Sequence, residues 1–201
     1  MKLAIILAHP APRSFTRSMA DAAAKALKRR GCEVLVRDLY RMDFDPRLSA
    51  DEIPTPDGFA PRPDIVAERD RLKPMDGFVL FYPVWFNSPP AILKGYMERV
   101  FGMGFGYGMG RGGNEPLLTG KSLVSVSSSG APKAWMVETG AWDAMRKLYD
   151  EHFGAVTGLK VLDHLHFGGI VPGFRPDAVA DCAREVGRAL DQSFGFGDQE
   201  D

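Results

Sequence analysis

The sequence predicts a doubly wound α/β fold, a parallel sheet with helices on both faces, and three observations carry that prediction. Five apolar runs punctuate the chain, at 3–8, 34–39, 78–82, 123–126 and, more weakly, 159–167. The first and third are continuous instead of alternating, as strands covered on both faces are. Stretches of helical period separate the runs, and strands alternating with helices form βαβ units whose right-handed crossovers build a parallel sheet.

Each element has its own justification. The run at 3–8 meets His9-Pro10 at once, too short for a membrane span and a poor signal peptide, so it reads as a buried strand. Phe15, Met19, Ala22, Ala23, Ala26 and Leu27 then recur at helical spacing, with Ser14 as N-cap and Gly31 as the stop. After the strand at 34–39, the stretch 41–63 carries Pro46, Pro54, Pro56, Pro61 and Pro63 with little periodicity. A connection that long is functional or clamped against a partner. A short helix follows at 65–72, and a third at 90–101 has proline near its first turn. At 102–113 glycine alternates with Phe105, Tyr107 and Met109. That pattern reads either as a floppy surface loop or as one that lays rings over a flat ligand or across a subunit interface. Two more helices are expected at 135–153 and 176–194.

Composition narrows the function classes. At 201 residues the chain is expected to be a single domain, 1–201, large enough to bury a core without metal or disulfide staples. Twenty-five basic against 26 acidic residues, a net charge of −1, argue against nucleic acid or an acidic membrane as the main partner. Two cysteines, Cys32 and Cys182, lie 150 positions apart with no CxxC spacing. They fit inert thiols in a reducing compartment, so a cytoplasmic location is expected.

In open parallel sheets the ligand binds outside the carboxyl ends of the strands. Three loops therefore matter. After strand one, His9-Pro10-Ala11-Pro12-Arg13-Ser14-Phe15-Thr16 runs straight into a helix with hydroxyls at Ser14 and Thr16 and cations at Arg13 and Arg17, a ready anion site. The plainer alternative is that Ser14 only caps the helix. After strand three, Pro83-Val84-Trp85-Phe86 sets bulky rings where they can flank a planar ligand, or simply pack in the core. After strand four, Ser127-Ser128-Ser129-Gly130 is a small polar turn that lets backbone approach a ligand closely.

At these residues the chain resembles the flavodoxin-like NAD(P)H:quinone oxidoreductase family, which includes reductases that accompany potassium-efflux channels. The matching stretches are Ala8-His9-Pro10 with Ser14-Phe15, Asp38-Leu39-Tyr40 with Phe44-Asp45-Pro46, Asp64-Ile65-Val66-Ala67-Glu68, and Pro90-Ala91-Ile92-Leu93-Lys94-Gly95 through Glu98-Arg99-Val100-Phe101. They run in family order over about 8–130. The resemblance implies a five-stranded sheet of order 2-1-3-4-5. It implies a flavin, FAD in preference to FMN, with His9, Arg13, Ser14, Phe15, Thr16 and Ser18 on its pyrophosphate and ribityl chain. Pro83, Val84, Trp85 and Phe86 would pack on the ring system, and Ser127, Ser128, Ser129 and Gly130 would approach its pyrimidine edge. Phe105, Tyr107 and Trp135 would shape the acceptor pocket, Tyr107 coming from the second subunit of a homodimer. The tyrosine and histidine that steady the flavin in the family correspond here to Trp135 and Ala141.

The expected function is then hydride transfer from NAD(P)H through the bound flavin to a quinone-like acceptor, in one pocket used in turn, with no side-chain acid or base and no metal. The alternative is a flavin-bearing regulatory subunit, peripherally associated with a membrane potassium-efflux system. Other motifs are set aside. Gly108-Met109-Gly110-Arg111-Gly112-Gly113 fits G-x-G-x-x-G but does not open a helix after a strand, and Gly120-Lys121-Ser122 lacks the glycine a P-loop needs at position 115. His164 and His166 share one strand face without a third metal ligand, and read as a structural pair. His9 reads as a phosphate contact ahead of a base.

Overall fold

The computed structural model describes residues 1–55 and 58–196, so Pro56 of the proline-rich stretch and positions 197–201 of the expected domain lie outside the described residues. In chain order the elements are β1 (Lys2–Leu7), α1 (Phe15–Arg29), β2 (Glu33–Asp38), α2 (Pro63–Leu72), β3 (Gly77–Pro83), α3 (Ala91–Arg99), β4 (Tyr107–Gly110), β5 (Gly113–Pro116), β6 (Ser122–Ser128), α4 (Lys133–Glu138), α5 (Ala141–Arg146), α6 (Phe153–Thr157), β7 (Lys160–Phe167) and α7 (Pro176–Phe194). The main sheet has the order β2-β1-β3-β6-β7 with every pair parallel, the expected 2-1-3-4-5 once the β4-β5 hairpin is left out of the count.

The continuous apolar runs are explained by what covers them. Every residue of β3 is buried. Ala4, Ile6, Phe78, Leu80 and Tyr82 face one layer with Ile65 of α2 and Leu93 and Tyr96 of α3. Leu3, Ile5, Leu7, Val79 and Phe81 face the other, with Met19 and Leu27 of α1 and Val186 and Leu190 of α7. Each such side chain removed from water contributes about 1.5–3 kcal/mol, which is why a strand with no polar face is stable only at the centre of a two-sided sheet.

The long stretch 41–63 is clamped, and the clamp is internal. The Arg99 guanidinium at the end of α3 is 1% exposed and donates to Glu52 Oε1 and Oε2 at 2.9–3.1 Å, to the Asp45 carbonyl at 2.7 Å, and pairs with Asp64 at 3.2 Å. Glu52 in turn accepts from the Ser49 hydroxyl at 2.7 Å.

Two expectations are corrected. The glycine-rich 102–113 stretch, read as a loop of one of two kinds, instead turns into the antiparallel β4-β5 hairpin, and the G-x-G-x-x-G match falls on that hairpin's first strand and turn. Arg69 anchors its approach by donating to the carbonyls of Arg99, Val100 and Met103 at 2.8–3.0 Å, which caps the C-terminus of α3. Phe105 is half-buried against Phe101 of its own core, ring centroids 5.8 Å apart, so it does not require a partner to cover it. The expected helix at 135–153 is also broken. Gly140 takes φ 73°, which stops α4 and starts α5, and residues Lys147–His152 form a π-helical stretch. A π stretch turns side chains out of the α register. Here it sends Asp150, fully buried, into the sheet.

Candidate functional site

The carboxyl ends of β1, β3, β6 and β7 bring four loops to one edge of the sheet. On the first, Ser14 adopts extended backbone and its Oγ accepts the Arg17 N–H at 3.2 Å, capping α1. The N–H groups of Phe15 and Thr16 belong to the first helical turn, which has no intrahelical acceptors to use, so the end retains anion-binding capacity. His9 Nδ1 accepts from the Ala11 N–H at 3.1 Å, and burial lowers the pKa of its ring, with the Arg17 cation adding to the effect. Arg13 and Ser18 are exposed and Thr16 is buried. Arg17 is committed to an ion pair with Asp38 and so is not a free cation, yet its Nε is buried without a hydrogen-bond partner. The Phe15 ring packs against Phe167 and Phe174, at 5.4 and 5.8 Å, so its backbone N–H is the part that can meet a ligand.

The β3 loop holds the most strained backbone here. Trp85 and Ser88 exchange both backbone hydrogen bonds, at 2.9 and 3.1 Å, around Phe86 and Asn87, whose φ values are 47° and 56°. Two successive positive φ values make a type I′ turn, which ordinarily takes Asn-Gly. With phenylalanine in the first of those places the turn costs of order 1–2 kcal/mol, and it is the kind of strain that persists at binding sites. Asn87 Nδ2 donates to the Ala141 carbonyl at 2.8 Å and ties the turn to α5. The turn presents Phe86 wholly to solvent and leaves Trp85 exposed, 6.0 Å edge-on from His9. Pro83 is buried and Val84 packs against Met136, Trp142 and Met145, so of the four residues expected on a flat ligand only Trp85 and Phe86 offer rings or open surface.

The serine turn is in large part strand. Ser127 and Ser128 end β6, Ser129 donates its N–H to the Phe167 carbonyl at 2.9 Å and accepts at its own carbonyl from Ile170 at 2.8 Å, and only Gly130 is exposed. Ser127 and Ser129 turn inward. Ser127 Oγ lies 2.7 Å from His164 Nε2 and 2.8 Å from His166 Nδ1, and His166 Nε2 lies 3.0 Å from Ser129 Oγ. His164 Nδ1 meets Asp150 Oδ2 at 2.6 Å, and Asp150 Oδ1 accepts from the Ser125 hydroxyl at 3.1 Å. Trp142 covers both imidazoles, ring centroids 4.9 and 5.2 Å away, and Lys133 sits over Trp142 at 4.9 Å. Burial, then the neighbouring His164 and Lys133, lowers the pKa of His166 to about 4. The Asp150-His164-Ser127 sequence has the order of a hydrolase triad, but Ser127 is 1% exposed inside a central strand, where no substrate reaches it.

The sequence reading therefore named the edge and its loops, and missed Asp150, Trp142 and the part His164 and His166 play. A signal was present. Ser125, Ser127 and Ser129 alternate along β6, His164 and His166 along β7, and parallel register sets Ser125 opposite His164 and Ser127 opposite His166 on the same face of the sheet. Trp135, expected at the acceptor pocket, is exposed on the first turn of α4. Tyr107 is half-buried and faces an apolar groove of about 330 Å³ with Met97, Phe101, Leu148 and Phe153. No cluster of three or more metal-ligating side chains occurs among the described residues.

Comparison with known proteins agrees with this fold. A family model described as a flavodoxin-like fold matches residues 1–190. The chain is similar to an uncharacterized NAD(P)H oxidoreductase of Haemophilus influenzae, 38% identical over 128 residues that make up 63% of each protein, so it spans less than two thirds of that relative's length. It is 31% identical over 181 residues to a ribosyldihydronicotinamide dehydrogenase (quinone) of Mus musculus, covering 80% of this chain and 78% of that protein. Among solved structures, it is similar to an NAD(P)H:quinone oxidoreductase from Methanothermobacter marburgensis, with a TM-score of 0.84 and 29% identity over 94% of this chain and 98% of the other.

Proposed function

We propose that this chain, which belongs to the flavodoxin-like family of NAD(P)H:quinone oxidoreductases, is itself a flavin-dependent NAD(P)H oxidoreductase that reduces quinones or similar electrophilic acceptors by two electrons. The observation that carries the reading is the meeting, on one sheet edge, of a helix N-terminus with a buried, unpartnered guanidinium N–H and a strained turn that holds two aromatic rings in solvent. The first suits a phosphate and the second suits a flat ring system, and a phosphorylated isoalloxazine has both. The residues present fit a flavin.

In this reading the flavin, when bound, takes a hydride from NAD(P)H and passes it to the acceptor. The N–H groups of Phe15 and Thr16, with Ser14, Ser18 and Arg13, hold phosphate, and the buried Arg17 Nε gains the acceptor it lacks. Trp85 and Phe86 sandwich and exclude water from a planar ligand, and the open flank of Gly130 admits its edge: a Cβ there would meet nothing nearer than the Ile170 carbonyl at 3.9 Å. His9 holds the turn at Ala11 and contacts phosphate. We favour FAD, with FMN as the other outcome of cofactor analysis.

A homodimer belongs to the same proposal. A second copy would cover the groove around Tyr107 and bring that ring to the acceptor pocket. We place the enzyme in the cytoplasm, in keeping with two unpaired cysteines and with no helix among the described residues long and apolar enough to cross a membrane. The relatives reported above carry no transporter name, and the enzyme reading stands ahead of the efflux-subunit reading. One pocket used in turn predicts parallel lines in double-reciprocal plots of NADPH against quinone. Intersecting lines would remove the shared pocket, and absence of any NAD(P)H-dependent quinone reduction would remove the function.

A further inference from the structure

The buried chain of groups under Ser129 is larger than packing requires. Five side chains, Asp150, His164, Ser127, His166 and Ser129, are joined end to end at 2.6–3.0 Å, all under 9% exposed. They climb from the interior at the level of Ser125 to the ligand edge, about 13 Å at ~3.3 Å per strand residue. A buried polar network of this length is tolerated only if every member is satisfied, and that condition selects its protons. Ser129 Oγ donates to the Ala131 carbonyl at 2.7 Å, so it must accept from His166 Nε2–H. His166 Nδ1 then accepts from the Ser127 hydroxyl, and Ser127 Oγ accepts from His164 Nε2–H. The other ring nitrogen of His164 donates to the Asp150 carboxylate. All contacts are satisfied with His164 as an imidazolium paired to Asp150 and His166 neutral.

We propose that this chain is a proton relay that stores one proton on His164 and delivers it at Ser129 to the acceptor bound at the sheet edge. The proposal rests on the quinone-reductase reading, because reduction of a quinone by NAD(P)H consumes one proton: NAD(P)H + H⁺ + quinone gives NAD(P)⁺ + hydroquinone. Delivery needs no movement of heavy atoms, only rotation of the Ser129 hydroxyl off the Ala131 carbonyl toward the acceptor. The Ser129 hydroxyl proton leaves to the acceptor oxygen and is replaced from His166 Nε2. His166 Nδ1 takes the Ser127 proton, and Ser127 takes the proton of His164 Nε2. Every hydrogen bond along the chain reverses direction, His164 ends neutral, and one proton has left. Reloading from water at the open edge runs the same steps backward. The lowered pKa of His166 agrees with a neutral ring beside a charged one. The other charged or titratable groups around the two imidazoles are Arg146, 3.7 Å from Asp150, Lys133 of α4, and Tyr82 of β3, whose phenol burial keeps protonated and which has Tyr149 nearby; Asp163 on β7 itself accepts the His164 backbone N–H. The π stretch that breaks the helix is what supplies Asp150 to the inner end.

The test has two arms. The chain holds four histidines, so ring-nitrogen NMR of labelled protein without flavin resolves each, with H164Q and H166Q variants for assignment. The relay predicts that at neutral pH both nitrogens of His164 are protonated, with a strongly downfield Nδ1 proton that D150N abolishes, while His166 is protonated at Nε2 alone. A neutral His164, or His166 protonated at Nδ1, overturns the stored proton. The second arm uses flavin-loaded protein. S127A cuts the chain at its centre, where no ligand reaches, and lowers kcat for quinone reduction by about 10²-fold or more with an altered solvent deuterium isotope effect and unchanged flavin content; S127T, which keeps a hydroxyl, restores both. A serine with only a structural role would leave the isotope effect unchanged, and that result overturns delivery. Loss of the flavin assignment would show in absorbance and loss of the relay in the histidine spectrum, so the two failures are distinguishable.

Discussion

Replacing Glu52 by Gln should be among the most destabilising isosteric changes available in this protein. Its carboxylate, 3% exposed, is the main counter-charge of an Arg99 guanidinium that is 1% exposed. Asp64, the other carboxylate in reach, is more than half exposed and screened by water. Removing one partner of a buried pair leaves an uncompensated charge, at about 3–5 kcal/mol. For a domain of this size a kcal/mol moves Tm by about 2–4 °C, so E52Q should melt roughly 6–20 °C lower. The loop 41–63 should loosen first, because Arg99 also holds the Asp45 carbonyl. The double variant E52Q/R99M removes both charges and should recover much of the loss. Burial alone would raise the Glu52 pKa, but hydrogen bonds from Arg99 and Ser49 overcome that and lower it. A depressed carboxylate stabilises the fold above its unfolded value of about 4.3 and loses that contribution as pH falls through the lower folded value. E52Q should therefore be less acid-sensitive than the parent below about pH 4.3. Urea denaturation of the four proteins of the cycle measures all of this. A single-variant cost below about 1 kcal/mol, or a double-variant cost equal to the sum of the singles, would refute the argument from buried charge.

Other outcomes follow from the same geometry. F86G removes a solvent-exposed ring from a positive-φ position, so it should leave the fold as stable as the parent or raise its stability by up to about 1 kcal/mol in urea, while flavin or quinone affinity falls; a destabilised F86G would mean that the turn is not strained. His166 binds a proton in the folded state only near pH 4, against an ordinary value of 6.5. Between those values the unfolded chain binds more protons, so stability is full above pH 6.5 and declines as pH drops toward 4. H166Q should flatten that slope in thermal melts across the window, and an unchanged slope would assign the acid sensitivity elsewhere.

Most of the fold could be read in advance because its two central strands are apolar on both faces, a pattern that few architectures other than a covered parallel sheet can satisfy. The candidate edge followed from topology alone. What the sequence hid has definite physical causes. The β4-β5 hairpin is written YGMG and GNEP: Tyr107 and Met109 alternate only with glycine, a weak strand former, and the second strand has no apolar alternation to pair with them. Gly95 of α3 looks like a weak helix residue, yet a Cβ there would come within 2.1 Å of the Pro46 carbonyl, a close approach of the clamped loop that spacing does not disclose. Arg99 and Glu52 lie 47 positions apart, and no local pattern links them. Arg17 of α1 looked like a free cation because its partner Asp38 ends β2, 21 positions later. The serine and histidine alternations were visible, but Asp150 joins them only through a π stretch that no helical period predicts.

The most direct test of the account is the visible spectrum of the purified protein before and after anaerobic NADPH, with the released cofactor identified by mass. The account predicts a flavin band that bleaches in a single two-electron step, with the mass of FAD. A protein that is colourless and takes up neither FAD nor FMN would contradict it.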